Sequence, residues 1–199
     1  MYFKPRDFEN YRQALLNGKV GLFPFDTIWG VTSILDINAI NRIYDIKRRP
    51  KTQPLIVLCP VNYDLSKIAK DINLHTQIID YVWPGPVSLI LNKTEMIPDD
   101  ATAGLSTVAI RIPDYIPLNY LLNECGCPLV STSANISTEP VPSNFDSISQ
   151  EIKDNVDFVV NSFEPLWNQE STIVNCLEKP YPVLRQGRNY DKIPKELLA

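Results

Sequence analysis

The sequence predicts an α/β fold with a mixed β-sheet, in one domain spanning residues 1–199. Three observations carry this. Short apolar runs alternate with stretches of helical periodicity along the whole chain. Several connections between the apolar runs are too short for a helical crossover, so parallel and antiparallel neighbours must be mixed. The 17 prolines punctuate loops throughout, and no linker-like stretch, repeat or low-complexity segment divides the chain.

The elements follow in order. Residues 1–7 lead straight into a helix with Phe8, Tyr11, Ala14 and Leu15 on one face, stopped at Gly18. Residues 20–23 read as a buried strand broken by Pro24, and residues 30–34 as a second. Asn38 is the expected cap of a helix with Ala39, Ile40, Ile43, Tyr44 and Ile46 inward, ending at Lys47-Arg48-Arg49 before Pro50. Residues 54–59 form a strand run closed by Pro60. Residues 62–70 and 73–82 read as helices, and Trp83-Pro84-Gly85-Pro86 as a rigid turn into a strand at 87–91. A strand at 108–112 precedes a helix at 117–124 with proline in its first turn. A strand at 129–132 feeds the turn Ser133-Ala134-Asn135. Residues 146–152 read as helix, residues 158–160, 171–175 and 182–184 as late strands, and residues 193–198 as a terminal helix.

Composition narrows the function. There is no run of 18 apolar residues and no signal-peptide core, so neither membrane insertion nor export is expected and the cytoplasm is the default compartment. The net charge of −4 argues against a broad nucleic-acid-binding surface, although a local basic cleft is compatible with it. Four cysteines make no disulfide framework, and Cys125-Gly126-Cys127 has neither a second cysteine pair nor a histidine cluster, so no metal site is expected. The single histidine, His75, sits at a helix start. A Ser-His-Asp or Cys-His mechanism would have to use it, which disfavours that class.

Against this acidic background, cations and small polar groups gather at element ends, where an α/β fold collects its ligand groups. They are Lys47-Arg48-Arg49-Pro50, Arg111, Ser131 to Asn135, Ser171-Thr172-Ile173-Val174 and Arg185-Gln186-Gly187. Each has a plain structural explanation on its own. Cations suit a helix C-terminus, where they are treated as exposed, and Ser-Ala-Asn suits a capped turn. In Pro24-Phe25-Asp26-Thr27-Ile28-Trp29-Gly30, Asp26 and Thr27 can satisfy a turn while Trp29 packs on the core; the functional alternative puts Thr27 and the aromatic at a pocket mouth. Neither a Walker A sequence nor G-x-G-x-x-G is present, so any phosphate must be held mainly by side-chain cations.

Taken together and in order, these segments resemble the YrdC-like family, the threonylcarbamoyl-adenylate synthases, from about Gly18 to Gly187. The P-T-D-T-V-Y-G-L motif is matched by residues 24–31, K-x-R-P by Lys47, Arg49 and Pro50, and N-P-L by Gln53-Pro54-Leu55. The P-G-P turn is Pro84-Gly85-Pro86, R-x-P is Arg111-Ile112-Pro113, and S-x-N is Ser133 and Asn135. Ser171-Thr172-Ile173 and Leu184-Arg185-Gln186-Gly187 complete the set. The departures are Phe25 for a threonine, Trp29 for a tyrosine, Gln53 for an asparagine, and Leu58-Cys59 where many members carry a histidine.

The resemblance implies a twisted mixed β-sheet with flanking helices and a concave basic cleft, in the short form without an added C-terminal domain. It implies synthesis of threonylcarbamoyl-AMP and pyrophosphate from L-threonine, bicarbonate and ATP, with Mg2+ accompanying the nucleotide and no resident metal. The product serves threonylcarbamoyladenosine modification of tRNA through other transfer proteins. Carried over by position, Lys47, Arg49, Ser133 and Asn135 are the implied catalytic set. Thr27, Arg111, Thr132 and Ser171 are implied for threonine. Lys47, Arg49, Gln53, Ser133, Asn135, Ser143 and Arg185 are implied for ATP. Phe25 or Trp29 is placed against the threonine methyl. Weak direct tRNA binding is compatible with this reading. The alternatives are a non-catalytic protein binding tRNA or double-stranded RNA, and a paralogue of the same fold with altered activity.

Overall fold

The computed structural model describes residues 5–160, 164–165 and 167–199; the expected lead-in over residues 1–4 lies outside them. Its frame is a nine-stranded mixed sheet. The strands are β1 Gly21–Pro24, β2 Trp29–Ile34, β3 Ile56–Leu58, β4 Val87–Asn92, β5 Thr107–Arg111, β6 Leu129–Ser133, β7 Phe158–Val159, β8 Thr172–Asn175 and β9 Val183–Arg185. They lie in the order β7-β1-β2-β6-β3-β5-β4-β8-β9. Three neighbouring pairs are parallel: β1 with β7, β3 with β5, and β4 with β8. The other pairs are antiparallel.

Side-chain alternation along the strands separates the two faces. On one face Leu22, Val31, Val57, Leu89, Val108, Ile110, Val130 and Val174 form a large buried cluster. Residues from α2 (Ile37–Ile46), α3 (Thr76–Val82) and α6 (Gln150–Asn155) cover it. Among the described residues, helices cover the other face at one end only. There Phe23, Leu58 and Leu129 pack with Phe8 and Leu15 of α1 (Pro5–Leu16) and Leu118, Leu121 and Leu122 of α5 (Ile116–Cys125). Beyond that cover the same face carries Ile56, Arg111, Ser131 and Ser133. No helix among the described residues packs over it.

The structure corrects several expected boundaries. Pro24 belongs to β1, paired with Trp29 at the closing end of a hairpin, where its missing N–H costs no interior ladder bond. The cap of α2 is Asp36, not Asn38: the Asp36 carboxylate accepts from Ala39 N at 2.9 Å, and Asn38 lies inside the first turn. The helix expected at 62–70 shrinks to a 3-10 turn, Leu65–Lys67. Residues 68 and 69 are drawn away to the chain after β4, through Thr94 N on Ile68 O and an Ala69–Lys93 bridge. Residues 73–82 divide into a 3-10 turn, Ile72–His75, and α3. The helix expected at 146–152 begins later, because Asn144 and Ser147 bond each other in a turn and Ser149 supplies the cap. A short helix, α4 (Asp99–Thr102), was not read from the sequence, and the chain ends in a 3-10 turn, Lys195–Leu197, where a terminal helix was expected. No helix among the described residues is long and apolar enough to cross a membrane.

Helix α2 delivers the Lys47–Arg49 segment to the sheet, so its cap is structurally consequential. Asp36→Ala is expected to cost about 1 kcal/mol. That lowers the melting temperature by roughly 2–4 °C, read by calorimetry.

Candidate active site

The bare part of the sheet forms the floor of a cavity of about 190 Å³. Its wall includes Phe25, Thr27, Arg49, Ile56, Arg111, Ser131, Thr132, Ser133, Glu170, Ser171 and Arg185. Seven segments contribute: the β1–β2 turn, the chain after α2, β3, β5, β6, β8 with the residues just before it, and β9.

The β1–β2 turn closes with Phe25 N donating to Ile28 O at 3.0 Å, which sets Asp26 and Thr27 at its tip. Gly30 makes room beside it: a Cβ there would lie 1.8 Å from the Phe25 ring, so no other residue lets Phe25 lie flat on β2. Thr27 is buried, and its hydroxyl is 3.4 Å from Arg111 Nη1. Arg111, the last residue of β5, is also buried and forms an ion pair with Asp26.

At the end of α2 the three consecutive cations part company. Lys47 is the C-cap, and Arg48 takes a positive φ of 50°, an uncommon conformation for a side chain of this size. That reversal turns Arg48 outward to a two-bond ion pair with Glu151 at 2.9 Å. Arg49 goes to the cavity rim, its guanidinium donating to Gln53 O at 3.1 Å and Pro54 O at 3.0 Å. Lys47 turns inward and is fully buried, which corrects the expectation of exposed cations. Its ammonium donates to Ser133 O and Asn135 O, with Asn135 Oδ1 at 3.4 Å. The Ser133 hydroxyl in turn donates to Asn135 Oδ1. Lys47, Ser133 and Asn135 therefore meet, while Arg49 shares only the cavity wall with Ser133, and Lys47 meets backbone carbonyls rather than open space.

On the far side, Arg185 Nε donates to Ser171 O at 2.9 Å and Nη2 to Ser171 Oγ at 3.0 Å, while Nη1 pairs with Glu170. Ser171 Oγ also lies 3.1 Å from Ser88 Oγ. Gly187 permits this crowding, because a Cβ would come within 2.3 Å of Glu170 O and 2.5 Å of Ser171 O.

Not every implied residue reaches the cavity. Gln53 is exposed and contributes only its carbonyl, which accepts from Tyr44 Oη and Arg49 Nε. Ser143 is exposed and lines no part of the cavity. Trp29 is wholly buried on the opposite face, 5.3 Å from Phe145 between ring centres, which leaves Phe25 as the aromatic in the wall among the described residues. Sequence reasoning passed over Asp26, read as a turn residue, along with Glu170 and Ser88. The available signal for Glu170 was its place directly before Ser171.

No cluster of metal-ligating side chains occurs among the described residues. The four cysteines are free. Burial pushes the Cys59 thiol up, and those of Cys125 and Cys176 up to about 12, so none offers a ready thiolate. His75 is half-buried with Nδ1 3.2 Å from Tyr181 Oη, outside the cavity wall.

A mixed sheet that bares part of one face, and arms it with cations and hydroxyls, defines an α/β protein built to hold a small anionic or zwitterionic ligand. The family model Sua5_yciO_yrdC, described as "Telomere recombination", matches residues 13–187, and the chain belongs to that family. It is 33% identical over 172 residues to the threonylcarbamoyl-AMP synthase of Pyrococcus abyssi, covering 85% of this chain and 51% of that protein. It is 26% identical over 186 residues to the threonylcarbamoyl-AMP synthase of Vibrio campbellii, covering 92% of this chain and 100% of that protein. The solved structure of P. abyssi Sua5 complexed with L-threonine superposes with a TM-score of 0.89 at 30% identity, over 94% of this chain and 56% of that one. The chain thus spans about half the length of the P. abyssi relative.

Burial, and then the neighbouring Arg49 cation, pull the Lys47 ammonium down from its ordinary 10.5 to about 7. Below pH 7 both folded and unfolded chains hold this proton, and the folded state carries the full burial penalty. Between about 7 and 10.5 only the unfolded chain holds it, so this group makes stability rise with pH. Denaturant unfolding of the wild type and Lys47→Met across that range should show the rise in the first and its loss in the second.

Proposed function

We propose that this chain is an L-threonylcarbamoyladenylate synthase, making threonylcarbamoyl-AMP and pyrophosphate from L-threonine, bicarbonate and ATP. The observation that carries the reading is the pairing of a small hydroxyl- and arginine-lined pocket with two cations, Lys47 and Arg49, that no carboxylate neutralises among the described residues. Family membership and the named relatives support it. At about 190 Å³ the cavity is below the roughly 300–1,000 Å³ of sites that bury a drug-sized ligand. It suits an amino acid, with the nucleotide extending from it past the Arg49 rim.

In this reading the threonine carboxylate lies near Arg111, its hydroxyl near Thr27 and Ser171, and its methyl against Phe25, with Thr132 completing the wall. The amine adds to carbon dioxide drawn from bicarbonate, losing a proton and giving a carbamate. A carbamate oxygen then attacks the α-phosphorus of ATP, and pyrophosphate leaves. Two anions must approach each other, so the work of the protein is alignment and charge stabilisation. Arg49, from the rim, and the buried Lys47, through its field and the Ser133–Asn135 turn it holds, supply that stabilisation. Mg2+ enters with the triphosphate. Arg185, bonded to Ser171, belongs by geometry with the amino-acid end, whereas Gln53 and Ser143 reach the nucleotide only where it extends beyond the cavity. The reaction is placed in the cytoplasm, and transfer of the product to tRNA is assigned to other proteins.

Mass detection of threonylcarbamoyl-AMP after incubation with the three substrates is the direct test. A chain that releases no pyrophosphate in response to threonine refutes the reading. Arg49→Ala should lower turnover about 100-fold, the scale of losing one charge-stabilising donor, while the melting curve holds.

Amino-acid choice gives a second test. Arg111 meets a carboxylate that every amino acid offers, so selectivity must come from Thr27, Ser171 and Phe25. A missing methyl costs roughly 1–3 kcal/mol, so serine should be used about 10- to 200-fold less well than threonine. Valine leaves the buried hydroxyl partners empty and should be rejected more strongly. Thr27→Val should narrow the threonine–valine gap with little change in ATP affinity, as measured by competition kinetics.

A further inference from the structure

Four cations border or underlie the cavity, and they differ in what answers their charge. Arg111 is ion-paired with Asp26, and Arg185 with Glu170. Lys47 meets the Ser133 and Asn135 carbonyls and the Asn135 side-chain oxygen, and Arg49 meets the Gln53 and Pro54 carbonyls. Neither has a carboxylate at ion-pair distance among the described residues. The cavity therefore has one wall close to electrical neutrality, built at the ends of β5, β8 and β9. Its other wall is cationic, built by the end of α2 and the turn after β6.

Asp26 neutralises the first wall at Arg111. It is 0% exposed and reaches from the β1–β2 turn to the end of β5, across the span of two intervening strands, β6 and β3. The pair is not a two-bond fork. Asp26 Oδ2 has no hydrogen-bond partner among the described residues, and neither has Arg111 Nε. A buried pair bonded at one point contributes little net stability, and apolar packing would serve the fold as well. Its placement points elsewhere, because Arg111 lines the cavity and Thr27, the next residue, lies 3.4 Å from the same guanidinium nitrogen.

We propose that Asp26 is a positioning residue that decides which ligand Arg111 accepts. It fixes the guanidinium at the cavity wall and cancels its charge, so that this end takes an amino-acid zwitterion and refuses polyphosphate. The inference rests on the reading of the cavity as a joint amino-acid and nucleotide site. A bare arginine attracts a triphosphate more strongly than a carboxylate, because the triphosphate carries more charge. With Asp26 beside Arg111, an approaching triphosphate also meets a carboxylate in a poorly screened setting. A zwitterion brings its own ammonium and meets no such net repulsion. Two ligands that both carry anionic groups are thereby sorted to opposite ends, by building repulsion against the wrong one as well as attraction for the right one.

The test is calorimetric titration of L-threonine into the wild type and Asp26→Asn, each with and without saturating tripolyphosphate. In the wild type, tripolyphosphate should occupy the Lys47–Arg49 side and change threonine affinity less than about twofold. In Asp26→Asn, threonine affinity should fall about tenfold or more, the scale of disturbing a buried charge pair. Tripolyphosphate should then compete with threonine, which a purely structural role for Asp26 would not produce. Threonine binding within about twofold of wild type, or its continued indifference to tripolyphosphate, would overturn the proposal. If Asp26→Asn loses its cooperative melt, Asp26→Glu decides instead. That variant keeps the charge and displaces Arg111, so weakened threonine binding with tripolyphosphate still excluded supports the proposal, and wild-type threonine affinity overturns it. Turnover is not needed for these titrations. A wild type that binds threonine yet makes no threonylcarbamoyl-AMP refutes the synthase reading and leaves the charge-sorting role standing.

Discussion

A buried ammonium with no carboxylate to answer it among the described residues is the constraint around which the site is arranged. Lys47 is fully buried and is answered by the Ser133 carbonyl and by the carbonyl and amide oxygens of Asn135. Such a charge is tolerated only where several oxygen dipoles converge on it. That requirement locks the end of α2 to the turn after β6, partners 86 and 88 residues apart in sequence. The backbone repeats the link, with Ser137 N donating to Lys47 O at 3.0 Å. The Ser133 and Asn135 side chains are presented on a turn whose carbonyls are already spoken for. While the ammonium keeps its proton, below about pH 7, the local field is positive, because carbonyl dipoles solvate a cation without cancelling its charge.

The second determinant is incomplete cover. A sheet face that begins with Phe23, Leu58 and Leu129 would ordinarily be buried along its length. Helices α1 and α5 cover only that end, and on the adjoining stretch the inward positions change from apolar to Ser131, Ser133 and Arg111. The same alternation that builds the core thus supplies the ligand groups, through a change of residue type at fixed register. The change of type is clearest in β6, where Leu129 belongs to the covered end and Ser131 and Ser133 to the cavity.

Much of this was legible in the sequence. Short apolar runs located the nine strands to within a residue or two, and the polar element ends pointed to the face that carries the site. Helix starts were less legible, since Asp36 and Asn38 are both acceptable caps and only the backbone geometry chooses between them. The 62–70 segment failed for a tertiary reason, because its last residues pair with the chain after β4. Within the site, side-chain direction was the hidden variable. Three adjacent cations look alike in sequence, yet a single positive φ at Arg48 sends one into the interior, one to Glu151 and one to the cavity rim. The Asp26–Arg111 pair was hidden by distance, its partners being 85 residues apart with no local pattern to connect them.

The strand order also has a temporal meaning. The cavity draws Phe25 and Thr27 from near the start of the chain and Ser171 and Arg185 from near its end, with β8 and β9 at one side of the sheet. During synthesis the N-terminal part emerges well before the residues that finish the wall, and contacts of such long sequence separation form late and slowly. A ribosome-bound chain lacking β9 has the hydroxyls of β6 in hand and no Arg185 to orient Ser171. The wall around Ser171 is therefore completed only once β9 has added Arg185 to it.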